Sequence, residues 1–347
     1  MAMQVSEIIS VDGSYGEGGG QIIRTSLSLS AITGKPVTIK NVRARRSKPG
    51  LQPQHLMAVQ AAAAICDAAL DGAAIGSTQF TFTPFVKVKT GDYRFDIGTA
   101  GATPLVLQTV LIPLALSGGE STVTVTGGTH VPHAPTAQYL EHVYAATLAE
   151  HGLDAIFDCP EAGFFPRGGG KITAQIAPST FTNVDITTRG RLQSLDAYIV
   201  TSQLPTHVGE RGAAAAAKEL RGYRKTTVHT LDVPSRGQGA SVIVVAECDN
   251  ARAGFSAIGE RGKPMERVAE EACQAFAKWY RTEAPCDEHL ADQLVLPMAL
   301  TPGESRWAVS EVTEHLRTVI WLTKHFLPIE ATLEEKADWS GVVRLRR

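Results

Sequence analysis

The chain has 347 residues, 44% of them hydrophobic and 20% charged, with a formal net charge of −2. That length allows two domains and a sizeable core, and the near-neutral balance excludes a protein that coats nucleic acid, which needs a broad basic surface. Gripping a few phosphates at a chain end is not excluded. Five scattered cysteines (Cys66, Cys159, Cys248, Cys273, Cys286) without a CxxC pair read as reduced thiols of a cytoplasmic protein. No stretch has the layout of a signal peptide, and the longest apolar run, 104–116, contains Gln108, Thr109 and Pro113 and is too short to span a bilayer.

In chain order, a short apolar segment (5–11) is followed by the loop Asp12-Gly13-Ser14-Tyr15-Gly16-Glu17-Gly18-Gly19-Gly20 and then by Ile22, Ile23, Leu27, Leu29 and Ile32, which suit one side of a helix. Strands are expected near 37–43, 79–83, 121–125 and 171–176, and helices near 20–32, 54–69, 103–117 and 136–151. The order is close to βαβαββ used more than once. From about residue 187 the texture changes: strands near 192–200 and 240–246, an alanine-rich stretch at 210–220, and one helical face marked by Met265, Val268, Ala272, Phe276 and Trp279. The apolar-helix pattern returns at 290–300 and 311–326. The expected organisation is a large domain, 1–186 plus 283–347, split by an inserted α+β domain, 187–282.

Several segments carry polar residues suited to anions. The glycine loop lets backbone N–H groups approach a phosphate at a helix N-terminus. Glu17 would repel that phosphate unless a divalent cation lay between them. The spacing fits neither the dinucleotide fingerprint nor the Walker pattern, and such a loop alone is more often just a turn. Arg43, Arg45, Arg46 and Lys48 form a cationic run, read either as a solvated edge or as a phosphate grip, with strand alternation placing Arg43 and Arg45 on one face. Gln54 and His55 follow in the first turn of the next helix. Gln108 lies in an otherwise apolar helix and needs a partner, since a bare buried amide costs about 1–3 kcal/mol. His130 and His133, in the loop before Pro135, are a weak metal signal without further ligands. Asp292, beside Gln293, reads as a helix cap, and His315 as a structural histidine.

Taken together, the segments 12–30 (DGSYGEGGGQIIRTSLSLS), 43–56 (RARRSKPGLQPQHL), 127–135 (GGTHVPHAP), 289–300 (HLADQLVLPMAL) and 314–318 (EHLRT) resemble, in order and through almost the whole chain, the RNA 3′-terminal phosphate cyclase family. The resemblance implies an α+β fold: a large domain of repeated βαβαββ units, similar to enolpyruvyl transferases, with a smaller α+β domain inserted. It implies ATP-dependent conversion of an RNA 3′-terminal phosphate to a 2′,3′-cyclic phosphate through a covalent histidine–AMP intermediate and an RNA–adenylate anhydride. His315 would be the nucleophile and Glu17 the ligand of Mg²⁺ or Mn²⁺. Arg24, Arg43, Arg46, Gln54 and His55 fall where the family holds phosphates, and Gln108, Pro135, His289, Asp292 and Gln293 fall in its adenylate pocket. One departure is His289, where the family commonly has a tyrosine that stacks on adenine. The expected partners are ATP and RNA with a 3′-terminal phosphate, with no membrane; oligomeric state stays open. A non-catalytic assembly factor of the same family lacks the nucleophilic histidine, and an enolpyruvyl-type transferase would leave EHLRT beside HLADQ unexplained.

Overall fold

The computed structural model describes residues 7–338 and 340–347. One four-stranded pattern occurs three times. In the first unit, strand Ile9–Asp12 leads to helix Gly20–Thr33, strand Val37–Lys40, helix Pro53–Cys66 and the hairpin Ala69–Asp71 and Phe80–Thr83. The first two strands pair in parallel, and the last strand inserts antiparallel between the second and third. The second unit repeats this with strands Asp92–Asp96, Ser121–Gly127, Ala155–Glu161 and Gly170–Ile176. The third repeats it with Asp185–Ile186, Glu304–Val309, Glu330–Glu335 and Gly341–Arg346. Each is a βαβαββ unit, and each parallel pair is joined by a helical crossover, as parallel strands require.

The third unit is interrupted between its first strand and its first helix. That interval carries a separate sheet of strands Leu192–Ser202, Thr226–Asp232, Gly239–Cys248 and Arg252–Ile258, covered by helices Thr206–Glu219 and Met265–Tyr280. Strand Gly239–Cys248 joins the two bodies of the molecule. Its side chains alternate between faces, so Val242, Val244 and Ala246 enter the core beneath these two helices while Ile243 and Val245 enter the main core. The main core is centred on helix Thr103–Ala115, whose Val106, Leu107, Val110, Leu111, Ile112 and Leu114 are fully buried. It packs on both helices of the first unit and on strands of its own sheet.

Two local expectations change. The second strand ends at Lys40, because Asn41 and Arg43 adopt left-handed backbone (φ 53° and 52°) and turn the chain. Strand alternation therefore does not set the directions of Arg43 and Arg45. The apolar stretch 290–300 is two short helices, Leu290–Gln293 and Val295–Leu300. Asp292 is not their cap: Asp287 Oδ1 accepts the N–H groups of His289 and Leu290, both at 2.9 Å.

Candidate active site

Three long helices direct first-turn residues into one cavity of about 670 Å³: Gln21 of Gly20–Thr33, Gln54 and His55 of Pro53–Cys66, and His315 of Glu314–Phe326. Free N–H groups and the partial positive charge at such helix ends favour anions. All twelve site residues expected from sequence line this cavity: Glu17, Arg24, Arg43, Arg46, Gln54, His55, Gln108, Pro135, His289, Asp292, Gln293 and His315. They come from all three units and are separated by up to 298 positions in the chain.

The glycine loop serves close approach. A Cβ at Gly20 would lie 2.6 Å from His55 Nε2 and 2.8 Å from an Arg24 nitrogen, so only glycine leaves those groups at the cavity wall. His55 Nδ1 accepts the N–H of Gln52 at 3.2 Å. Burial, with Arg24 and Arg43 nearby, pushes its pKa down to about 3. The ring is therefore neutral at pH 7 and carries its proton on Nε2, where it can donate to a ligand. Arg24 is deeply placed, and desolvation lowers its pKa to about 10, leaving it charged.

Glu17 contacts both Arg46 and His315 Nε2. Its Oε2, the oxygen that faces His315, is buried and accepts no hydrogen bond of good geometry among the described residues. Desolvation, reinforced by Arg24 and Arg46 and opposed by Asp292, lowers the pKa of His315 below the usual imidazole range. The ring is neutral at pH 7 and keeps a nucleophilic lone pair. Asp292 is raised to about 6 by burial, against the pull of His315, His289 and Arg24.

The opposite wall is a chain of amides. Gln108 donates to Gln293 Oε1 at 2.7 Å, and Gln293 donates to the His289 carbonyl at 2.9 Å. His289 itself projects outward, its side chain 64% exposed. Gln54 Oε1 accepts the N–H of Ala102 at 2.9 Å, tying the first unit to the second.

Sequence reading missed several lining residues. Gln21, Thr25 and Ser28 recur with Arg24 at helical spacing on the cavity-facing side of their helix; that periodicity was available as a signal. Gly254, Ser256 and Ile258 reach the cavity from a strand of the interrupting segment, which only the tertiary fold reveals. Buried Asp287 holds this wall together. Besides the two N–H groups above, it accepts the Tyr139 hydroxyl at 2.9 Å and the Gly254 N–H at 3.1 Å. Four donors from three separate parts of the chain thus share one carboxylate.

The paired histidines do not converge as ligands. His133 lines the cavity. His130 is fully buried, with Nδ1 2.7 Å from the Thr129 hydroxyl and Nε2 2.6 Å from Gln138 Oε1. Gln138 Oε1 can only accept, so Nε2 carries the ring proton and Nδ1 accepts from the Thr129 hydroxyl, which in turn accepts the Gly163 N–H. Burial holds His130 at about 4, and its role is structural. No group of three His, Cys, Asp or Glu side chains forms a metal cluster among the described residues.

The cavity thus combines a neutral histidine, a buried carboxylate oxygen that accepts no hydrogen bond and converging cations with an amide-lined wall, a set suited to binding anions. A family model described as RNA 3′-terminal phosphate cyclase matches residues 15–333. Curated relatives called RNA 3′-terminal phosphate cyclase include one from Methylococcus capsulatus, 43% identical over 97% of this chain and 96% of its own length. Others are from Nostoc punctiforme (46%, covering 90% and 92%) and Pyrobaculum neutrophilum (43%, covering 94% and 95%). The chain belongs to the RNA 3′-terminal phosphate cyclase family, and its class of reaction is cyclisation of an RNA terminal phosphate. A solved enolpyruvyl transferase, NikO from Streptomyces tendae, gives a TM-score of 0.30 at 12% identity over 49% of this chain and 33% of that one.

Proposed function

We propose that the protein converts an RNA 3′-terminal phosphate to a 2′,3′-cyclic phosphate at the expense of ATP, with His315 as the adenylylated nucleophile. The observation that carries this reading is His315 itself: neutral at pH 7, at a helix N-terminus, beside a buried carboxylate oxygen that accepts no hydrogen bond, and among arginines. In the first step the imidazole lone pair forms a bond to the α-phosphorus of ATP while the bond to pyrophosphate breaks. An oxygen of the RNA 3′-phosphate then takes the AMP from nitrogen, giving an anhydride and freeing the histidine. Finally the neighbouring 2′-hydroxyl attacks the 3′-phosphorus, its proton is lost to solvent, and AMP leaves. That ring closure is intramolecular, with an effective molarity on the order of 10⁵ M, so the protein needs mainly to hold the end in place.

Arg24, Arg43, Arg46, Gln54 and His55 would hold phosphates, and Gln108, Pro135, His289, Asp292 and Gln293 the adenylate. The buried Oε2 of Glu17, which accepts no hydrogen bond, fits a divalent ion, Mg²⁺ or Mn²⁺, completed by phosphate oxygens and water. Such an ion would offset triphosphate charge. A cation there would also draw Glu17 away from His315 Nε2. We further take 187–282 as an inserted domain within 1–186 plus 283–347, supported by its separate sheet and core, and place the protein in the cytoplasm. No described helix is long and apolar enough to cross a membrane.

The test is incubation with 3′-phosphorylated RNA, ATP and Mg²⁺. The expected product end resists phosphatase and is opened by mild acid; an end that stays phosphatase-sensitive contradicts the reading.

A further inference from the structure

Two glycine-rich loops, 164–170 of the second unit and 235–239 of the interrupting segment, lie against each other. Ala162 N–H donates to the Pro234 carbonyl at 2.7 Å, and Arg167 Nη1 donates to the Arg236 carbonyl at 3.3 Å. Phe164 is buried against Gly239, while the next residue, Phe165, is 72% exposed, more than any other large apolar side chain described. Arg167 and Arg236 are also exposed. Among the described residues neither lies within 4.0 Å of a carboxylate, a state they share with other exposed arginines such as Arg94 and Arg261. Two exposed arginines on contacting loops, with an exposed phenyl ring two residues from one of them, have the composition of a single-strand nucleic acid surface: cations for the backbone and a ring for a base.

The buried side of these loops is linked to the cavity wall through backbone contacts. At Gly168 (φ 62°) a Cβ would lie 2.7 Å from Ala100 Cα, so this loop rests directly on the backbone at Ala100. Two residues on, Ala102 N–H donates to the cavity residue Gln54. On the other side His130 forms a β-bridge with Phe164, one residue before Val131 of the cavity wall.

We propose that these paired loops are a platform for the RNA strand leading to the reacting 3′ end, with Arg167 and Arg236 on backbone phosphates and Phe165 stacked on a base. The platform acts upstream of the terminal nucleotide, so it distinguishes an RNA strand from a lone nucleotide. It rests on the proposed RNA activity.

The experiment compares a 3′-phosphorylated decamer with a dinucleotide 3′-phosphate, by fluorescence anisotropy across a salt series and by cyclisation kinetics. Phe165→Ala should weaken decamer binding on the order of 10-fold. Arg236→Ala should make log Kd against log salt shallower by about 0.7, the value of one phosphate contact on a single strand, and Arg236→Glu should weaken binding further. Dinucleotide parameters and the melting temperature should stay at wild-type values. Unchanged decamer binding, or equal loss on decamer and dinucleotide, overturns the platform. Failure of the wild type to cyclise any RNA would count against the function proposed above, while the binding arm, which needs no turnover, still decides the platform.

Discussion

The two walls of the cavity are assembled by different forces. Glu17, Arg24, Arg46, His55 and His315 meet as charged or titratable groups in partial burial, and several are moved from their ordinary pKa values. Gln108, Gln293 and His289 meet through neutral hydrogen bonds that are already satisfied, in a wall anchored from behind by Asp287. The cationic wall is compensated only in part, with the buried Oε2 of Glu17 accepting no hydrogen bond, and its cost falls when an anion and a cation arrive. The amide wall is satisfied without a ligand and must exchange partners to bind one. On the function proposed above, the first would hold the reacting phosphates and the second the nucleoside.

This contrast can be broken by mutation. Glu17→Ala should have the largest effect here, reducing metal-dependent adenylylation on the order of 100-fold, the scale of losing one preorganised electrostatic partner. An unchanged metal titration would remove Glu17 from the site. Asp287→Ala strips the acceptor from four donors, three of them buried, and should cost about 2–4 kcal/mol in urea unfolding. It should also raise the KM for ATP, because His289 and Leu290 lose their cap; wild-type stability would show that the wall stands without it. Gln108→Ala should be milder, raising the KM for ATP several-fold with kcat nearly unchanged, as expected for binding shared by ground and transition states. A kcat effect as large as that of Glu17→Ala would erase the distinction between the walls.

The smallest expected effect concerns pH. His55 and His130 are held at about 3 and about 4, below the 6.5 of the unfolded chain. Below pH 6.5 the unfolded chain therefore binds protons that the folded one refuses, and stability falls as pH drops from 6.5 towards 4. Asp292, raised to about 6 from 3.8, works in the opposite sense. Its contribution is full below 3.8 and is lost as pH rises through 6, so it offsets part of the loss. His130→Asn should flatten the decline in melting temperature between pH 6.5 and 4. An equally steep decline would assign the acid sensitivity elsewhere.

What the sequence made legible follows from the range of the interactions. The glycine loop, the first-turn pair Gln54 and His55, and the repeating helix–strand order are local patterns, and the helices appear within a few residues of the expected spans. The turn at Asn41 and Arg43 was hidden because non-glycine residues take left-handed backbone there. The third unit was hidden because its first strand is two residues long and a long segment separates it from its partner strand. Asp287 sits among ordinary polar residues in sequence, and only the meeting of Tyr139, Gly254 and the start of helix Leu290–Gln293 gives it four donors. The assignment of His315 came from the family resemblance, since one histidine early in a helix carries no such signal alone.

The most direct measurement is incubation of the wild type and His315→Ala with α-labelled ATP and Mg²⁺, followed by mapping of protein-bound label. The account predicts acid-labile AMP on His315 in the wild type. It predicts none in the variant, which should keep a wild-type melting temperature because the His315 side chain is partly exposed. Label retained in His315→Ala, or absent from an active wild type, would contradict it.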